Sequence, residues 1–176
     1  MRLHRFFITE RIQRNGRVVI TERKLFHQWR TVLRLKTGDT VVLFDGFGED
    51  HHCELASLER EKALCLVRES EASAPLPEQH LCLFVSLIRR ERFEWFLEKV
   101  TELGVAQIRP LIADRSEVKR FNLKRAKEIV REAAEQSGRG GLPALYEPME
   151  LQNAFKEYHF FASIAFDPHG EPFKKR

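Results

Sequence analysis

Short apolar bursts separated by turn residues fill the first seventy positions: Arg5-Phe6-Phe7-Ile8, Val18 to Ile20, Val41 to Phe44, Cys53 to Leu58 and Ala63 to Val67. Runs of this length, rich in β-branched and aromatic residues, predict the strands of a small sheet or barrel. Asp45-Gly46-Phe47-Gly48 predicts a chain reversal after Phe44, because glycine accepts the positive φ that tight hairpins demand. One helix interrupts the strands. It is opened by Thr21 and carries Leu25, Phe26, Trp29, Val32 and Leu33 at helical spacing, which makes Trp29 a core residue.

The stretch from Glu69 to Pro77 is small, polar and proline-punctuated, with no apolar period, and marks a domain boundary. The expected division is residues 1–72, a linker at 73–79, and residues 80–176. Beyond it the rhythm changes. Leu81 to Ile88 is a nearly continuous apolar run of the kind buried on both faces in a parallel sheet. Glu91 to Leu103 reads as a helix with Phe93, Phe96, Leu97, Val100 and Leu103 on one stripe and Gly104 as its stop. Val105 to Ile112 follows as a strand. Asn122 then caps a helix bearing Leu123, Ala126, Ile129, Val130, Ala133 and Ala134, ended by Gly138. A helix around Leu151 to Tyr158 leads into an apolar strand, Phe160 to Phe166. The order βαβαβαβ after an all-β unit predicts an α/β sheet layered with helices.

At 176 residues and 43% hydrophobic composition the chain can bury a sizeable core. No apolar run approaches the roughly 18 to 20 residues of a membrane span, and Met1 to Arg5 lacks the apolar stretch of a secretory signal, so no membrane is expected and the cytoplasm is the expected compartment. Cys53, Cys65 and Cys82 form no CxxC and read as buried thiols. His51-His52-Cys53 is the one metal-like cluster, but on a strand only His51 and Cys53 share a face, so no metal is expected. The net charge of +4 is unevenly spread: residues 1–36 hold ten basic and two acidic side chains, whereas residues 37–72 hold three basic and nine acidic. That asymmetry predicts either a basic face for nucleic-acid phosphates or a solvated surface with scattered ion pairs.

P-loop, G-x-S-x-G, HExxH and G-x-G-x-x-G motifs are all missing from the sequence, which weighs against common hydrolases and dinucleotide binders. Two stretches carry candidate chemistry. Arg115 to Arg120 follows the strand ending near Ile112, where open α/β sheets hold ligands. Its guanidinium and hydroxyl groups suit a phosphate or ribose, or else form a solvated charge run. In Glu132 to Arg139, small residues permit close approach of the helix end to another segment. Gln136, Ser137 and Arg139 carry donors into a glycine-rich turn, the alternative being a capped, exposed helix end. Trp95 lies off the apolar stripe of its helix, as a partly buried packing residue or a contact surface.

RFFI at Arg5 to Ile8, VLRLKTGDTVVLFDG from Val32 to Gly46, EKVTELGVAQIRPLIADRSEVK from Glu98 to Lys119 and EAAEQSGRGGLP from Glu132 to Pro143 together resemble the ribosomal RNA small subunit methyltransferase E family. The resemblance runs in order over nearly the whole chain. It implies a PUA-like RNA-binding β-barrel followed by a SPOUT-type knotted α/β methyltransferase domain that dimerises. It also implies methylation of a uridine N3 in 16S rRNA, alone or within the small ribosomal subunit, with S-adenosylmethionine as donor. Carried over position by position, Arg2, Arg5 and Arg34 would touch the RNA backbone. Arg115, Ser116 and Gln136 would face the target nucleotide or cofactor pocket, and Arg139 would stabilise the uracil anion as the catalytic group. The family's GPEGG loop and LG-x-x-ILR-x-ETA segment do not occur in this sequence. The resemblance therefore implies a partial SPOUT domain without assignable cofactor residues, the alternative being a non-catalytic RNA-binding module or a fragment of the enzyme.

Overall fold

The computed structural model describes residues 3–59, 61–114, 116, 120–158, 163–166 and 169–170. The first half forms a five-stranded half-barrel from β1 (Arg5–Phe7), β2 (Arg17–Ile20), β3 (Thr40–Phe44), β4 (Glu49–Leu58) and β5 (Ala63–Ala72). The strand order is β1-β3-β4-β5-β2, parallel only between β1 and β3. Period-2 alternation sends His51, Cys53 and Leu55 of β4, and Ala63, Cys65 and Val67 of β5, into one core. Two register shifts between β4 and β5 bend the sheet around that core. Glu69 to Ala72, expected to leave the sheet, instead prolong β5 against Glu49 to His52.

The interrupting helix differs in detail from its expected form. α1 (Arg23–His27) has Glu22, not Thr21, at its N-cap, and Glu22 spends its carboxylate on Arg131 rather than on the helix end. After His27 the chain widens into a π-helical turn, Gln28–Val32, closed by the Leu33 amide donating to the Gln28 carbonyl at 2.9 Å. The wide turn changes the phase of the stripe. Trp29 is fully buried against Phe6, with ring centroids 5.3 Å apart, while Val32 swings out to solvent.

The second half is a parallel sheet in the order β6-β7-β8, built from β6 (Cys82–Ser86), β7 (Gln107–Ile112) and β8 (Ala144–Leu145), with β9 (Met149–Glu150) also pairing β7. Two-residue strands are too short to show a period, and β8 and β9 escaped the sequence reading. α2 (Arg90–Glu102) and α3 (Leu123–Ser137) pack over one face around Phe93, Leu97, Val100, Ile108, Ile129 and Val130. The caps are as expected: the Asn122 side chain accepts from the Arg125 amide at 3.0 Å, and Gly104 and Gly138 adopt left-handed conformations. α4 (Leu151–Glu157) follows β9. Among the described residues β6 lies at the edge of its sheet, and Cys82 to Val85 are half-buried rather than covered on both faces. Of the expected strand Phe160 to Phe166, residues 160–162 lie outside the described residues, and residues 163–166 are exposed and outside any strand.

The two sheets meet through polar backbone contacts. The Phe7 amide donates to Glu135 Oε1 at 3.0 Å, and the Phe7 carbonyl accepts from Arg131 Nη2 at 2.6 Å. Gly48 and Gly140 approach so closely that the Gly48 amide donates to the Gly140 carbonyl at 3.1 Å.

Candidate functional site

The structure separates the residues that the sequence reading groups together. Arg5 is turned inward. Its Nε and Nη2 bind both Asp50 carboxylate oxygens at 2.7 and 2.6 Å, its Nη1 and Nη2 donate to the Ala134 and Arg139 carbonyls, and its guanidinium stacks 3.6 Å over the Phe44 ring. Asp50 also accepts from the Ser73 hydroxyl. This arginine joins β1, β4 and the end of α3, and all its charge is used within the chain. Arg139 is only 4% exposed; Nη1 donates to the Thr101 and Val105 carbonyls at 2.9 and 3.2 Å, and Nη2 to Val105 at 3.2 Å. Burial pushes its guanidinium pKa down. The group expected to face a reacting uracil thus faces the C-terminal carbonyls of α2 and the segment beyond them.

Arg34 is exposed and sits at φ +55 where the π-helical turn ends, with no ion pair among the described residues. Ser116 closes a tight turn after β7: its amide donates to the Ala113 carbonyl and its Oγ accepts from the Ala113 amide, both at 2.9 Å. Gln136 is exposed on α3. Arg2 and Arg115 lie outside the described residues.

Two cavities differ in charge. One, of about 710 Å³, runs between α1, α2 and α3 and is bordered by Gln136 and Trp95. Its lining carries eight carboxylates against three basic side chains, a field that repels phosphate. The other, of about 600 Å³, opens at the carboxyl ends of β6 and β7 and is lined by Ser86, Ile88, Arg89, Arg92, Ala113 and Ser116, along with buried Leu87. Its described lining has two guanidinium groups and no carboxylate. Gln136 and Ser116, expected to face the target nucleotide or the cofactor pocket, border different cavities. His51 and Cys53 do share a face, but it is the core face: His51 Nδ1 lies 2.7 Å from Ser70 Oγ, and burial lowers the His51 pKa. His52 pairs with Glu71. Among the described residues no group of three His, Cys, Asp or Glu is arranged to hold a metal. No described helix is long and apolar enough to cross a membrane.

Arg89 and Arg92 were missed by the sequence reading, although the pattern carries a signal for them. In a helix, partners lie three or four positions away. Arg90 has Glu94 at i+4 and pairs with it at 2.8 Å. Arg89 meets Arg92 and Phe93 at those positions, and Arg92 meets Trp95 and Phe96. Neither has a carboxylate one turn ahead.

Comparison with known proteins fits this architecture. Residues 30–68 match the profile described as an RNA methyltransferase PUA domain, and residues 74–175 match that of an RNA methyltransferase domain. The chain belongs to the RNA methyltransferase family. Its relatives carry the name ribosomal RNA small subunit methyltransferase E. The protein from Rickettsia conorii is 26% identical over 157 residues, covering 89% of this chain and 64% of its own length. That from Synechocystis sp. is 36% identical over 135 residues, covering 75% and 43%. The chain thus spans less than two thirds of either relative. The crystal structure of the namesake from Neisseria gonorrhoeae, bound to S-adenosyl methionine, superposes with a TM-score of 0.82 at 28% identity, covering 90% of this chain and 66% of that one. The PUA-like half-barrel followed by SPOUT-type parallel sheet is the fold of this family.

Proposed function

We propose that this chain serves the methylation of a uridine N3 in 16S rRNA, with S-adenosylmethionine as methyl donor. The observation that carries the reading is the succession of the two family matches, residues 30–68 on the half-barrel and 74–175 on the parallel sheet, in one chain. The domain division, with the PUA-like unit at 1–72, a linker at 73–79 and the SPOUT part at 80–176, is supported by two separate sheets and cores. We extend the proposal to a homodimer, supported by Trp95, 63% exposed on α2. The cytoplasm, where rRNA is assembled, is the proposed compartment.

Uracil N3 bears a proton at neutral pH, so the site must stabilise the anion left when that proton departs, and must reach an edge used in base pairing. The target must be single-stranded or turned out of its stack. The donor's sulfonium needs acceptors or carboxylates nearby, and the described lining of the strand-end cavity offers two guanidinium groups instead, so that lining does not fit the donor. Exposed cations suit the RNA, and Arg2 and Arg34 keep the backbone contacts that the resemblance implies; Arg115 and Ser116 keep the target nucleotide, and Gln136, bordering the acidic groove, is left to the cofactor side. Arg139 is assigned a positioning role, because it is only 4% exposed and donates to the Thr101 and Val105 carbonyls. The test is incubation with methyl-labelled S-adenosylmethionine and 16S rRNA, followed by mapping of reverse-transcription stops, which N3 methylation causes. A stop at a single uridine supports the reading. RNA binding without transfer would favour a binding module, and neither activity would overturn both.

A further inference from the structure

Three arginines on the surface of the second half are neutralised within the chain. Arg90 pairs with Glu94, Arg125 with Glu94 and Glu128, and Arg131 with Glu22 and Glu135. The side chains of Arg89 and Arg92 are exposed and have no hydrogen bond or ion pair among the described residues. Both line the cavity of about 600 Å³ at the ends of β6 and β7, where no carboxylate competes for them among the described lining residues. Two uncompensated guanidinium groups set three residues apart, one helical turn, can donate to one phosphate from two directions. In the same cavity lining Ser116 Oγ accepts from the Ala113 amide, which leaves its proton to be donated. Ile88, 42% exposed, adds an apolar surface at the cavity rim.

We propose that Arg89 and Arg92, with the Ser116 hydroxyl of the same cavity, hold a backbone phosphate of the RNA at the carboxyl end of the parallel sheet. The inference rests on the RNA reading above and adds to it a location: the RNA reaches across from the half-barrel to this cavity, where the cations position the strand for reaction. The acidic groove between α1, α2 and α3 repels the same phosphate and thus directs the strand away from that side.

The test uses the 176-residue chain and a short fluorescein-labelled oligouridylate, with binding measured by anisotropy over a range of salt concentrations. Each phosphate contact contributes about 0.7 to the slope of log affinity against log salt for a single strand. Arg89→Gln and Arg92→Gln should each lower the slope by about 0.7, and the double variant by about 1.4. Arg90→Gln, whose charge Glu94 already neutralises, should leave it nearly unchanged. Arg92→Lys should keep the slope, because the charge remains, but bind more weakly through loss of the planar fork. Thermal melts verify that each exposed substitution folds. A slope undiminished in the double variant but reduced by Arg34→Gln overturns this site and leaves the RNA reading standing. No salt-dependent binding by the unaltered chain overturns both. Titration with inorganic phosphate is the second arm. Saturable binding abolished in the double variant, with its RNA slope unchanged, would make this a free-anion site and overturn the RNA assignment.

Discussion

Glu135 accepts the backbone amide proton of Phe7 at 3.0 Å, doing from a helix what a neighbouring strand would do at the open edge of β1. Arg131, one turn earlier on α3, donates to the carbonyl of the same residue and lies 3.2 Å from Glu135. An arginine and a glutamate at helical spacing thereby satisfy both main-chain groups of Phe7 and join the two sheets without a further strand.

Removal of this acceptor should be costly. Glu135→Ala leaves the Phe7 amide and part of the Arg131 guanidinium unmatched in a half-buried junction, for an expected loss of about 1–3 kcal/mol in denaturant unfolding. Equal stability of variant and parent would show that solvent satisfies the junction.

The same carboxylate should leave a pH signature. Burial, only partly offset by the Phe7 amide and Arg131, raises the Glu135 pKa above its ordinary value of 4.5. The folded state then takes up the proton before the unfolded state does. Stability from this group is present below the unfolded pKa and is lost as pH rises through the folded one. Unfolding midpoints measured from neutral pH downward should show the parent gaining on Glu135→Gln as the solution is acidified. The opposite trend would mean that Arg131 dominates.

Gly140 is where the two backbones touch. A Cβ there would meet Gly48 Cα and Ser73 Cβ, each at 2.9 Å, closer than real contacts allow. Gly140→Ala should cost about 1–3 kcal/mol by forcing the glycine turns apart, seen as a lowered thermal midpoint. A methyl group at Gly38 would meet nothing within 4 Å, so only the positive φ there resists alanine, and Gly38→Ala supplies the contrast without a clash.

Arg139 should behave as a structural group first. Arg139→Ala strips the Thr101 and Val105 carbonyls of their donor, so hydrogen exchange near the end of α2 should quicken and stability fall by about 1–3 kcal/mol. Unchanged stability with loss of methyl transfer would return Arg139 to the reacting centre.

The thiols should be ranked by burial. Cys53 and Cys65 are both pushed up to about 12 by desolvation, while half-buried Cys82 is also raised by burial but opposed by Arg109. Iodoacetamide at neutral pH should label Cys82 in the folded chain and the other two only after unfolding, as read by mass spectrometry. Native labelling of Cys53 at the rate of Cys82 would contradict the core described for β4 and β5.

What the sequence determined by itself were features set within a few residues. Period-2 alternation produced the strands of the half-barrel, helical spacing produced α2 and α3, and Asn122, Gly104 and Gly138 marked their ends through local backbone geometry. For Arg89 and Arg92 the sequence states only that no carboxylate stands one turn ahead of either. Tertiary structure decided the use of Arg5 and Arg139. A basic residue in the sequence states its charge but not its partner, and Arg5 finds its partners at Asp50, 45 positions away, and Ala134, 129 positions away. Docking of the two sheets brings those groups together and withdraws both arginines from solvent. Charge left exposed can meet RNA; charge enclosed by that docking holds the chain together.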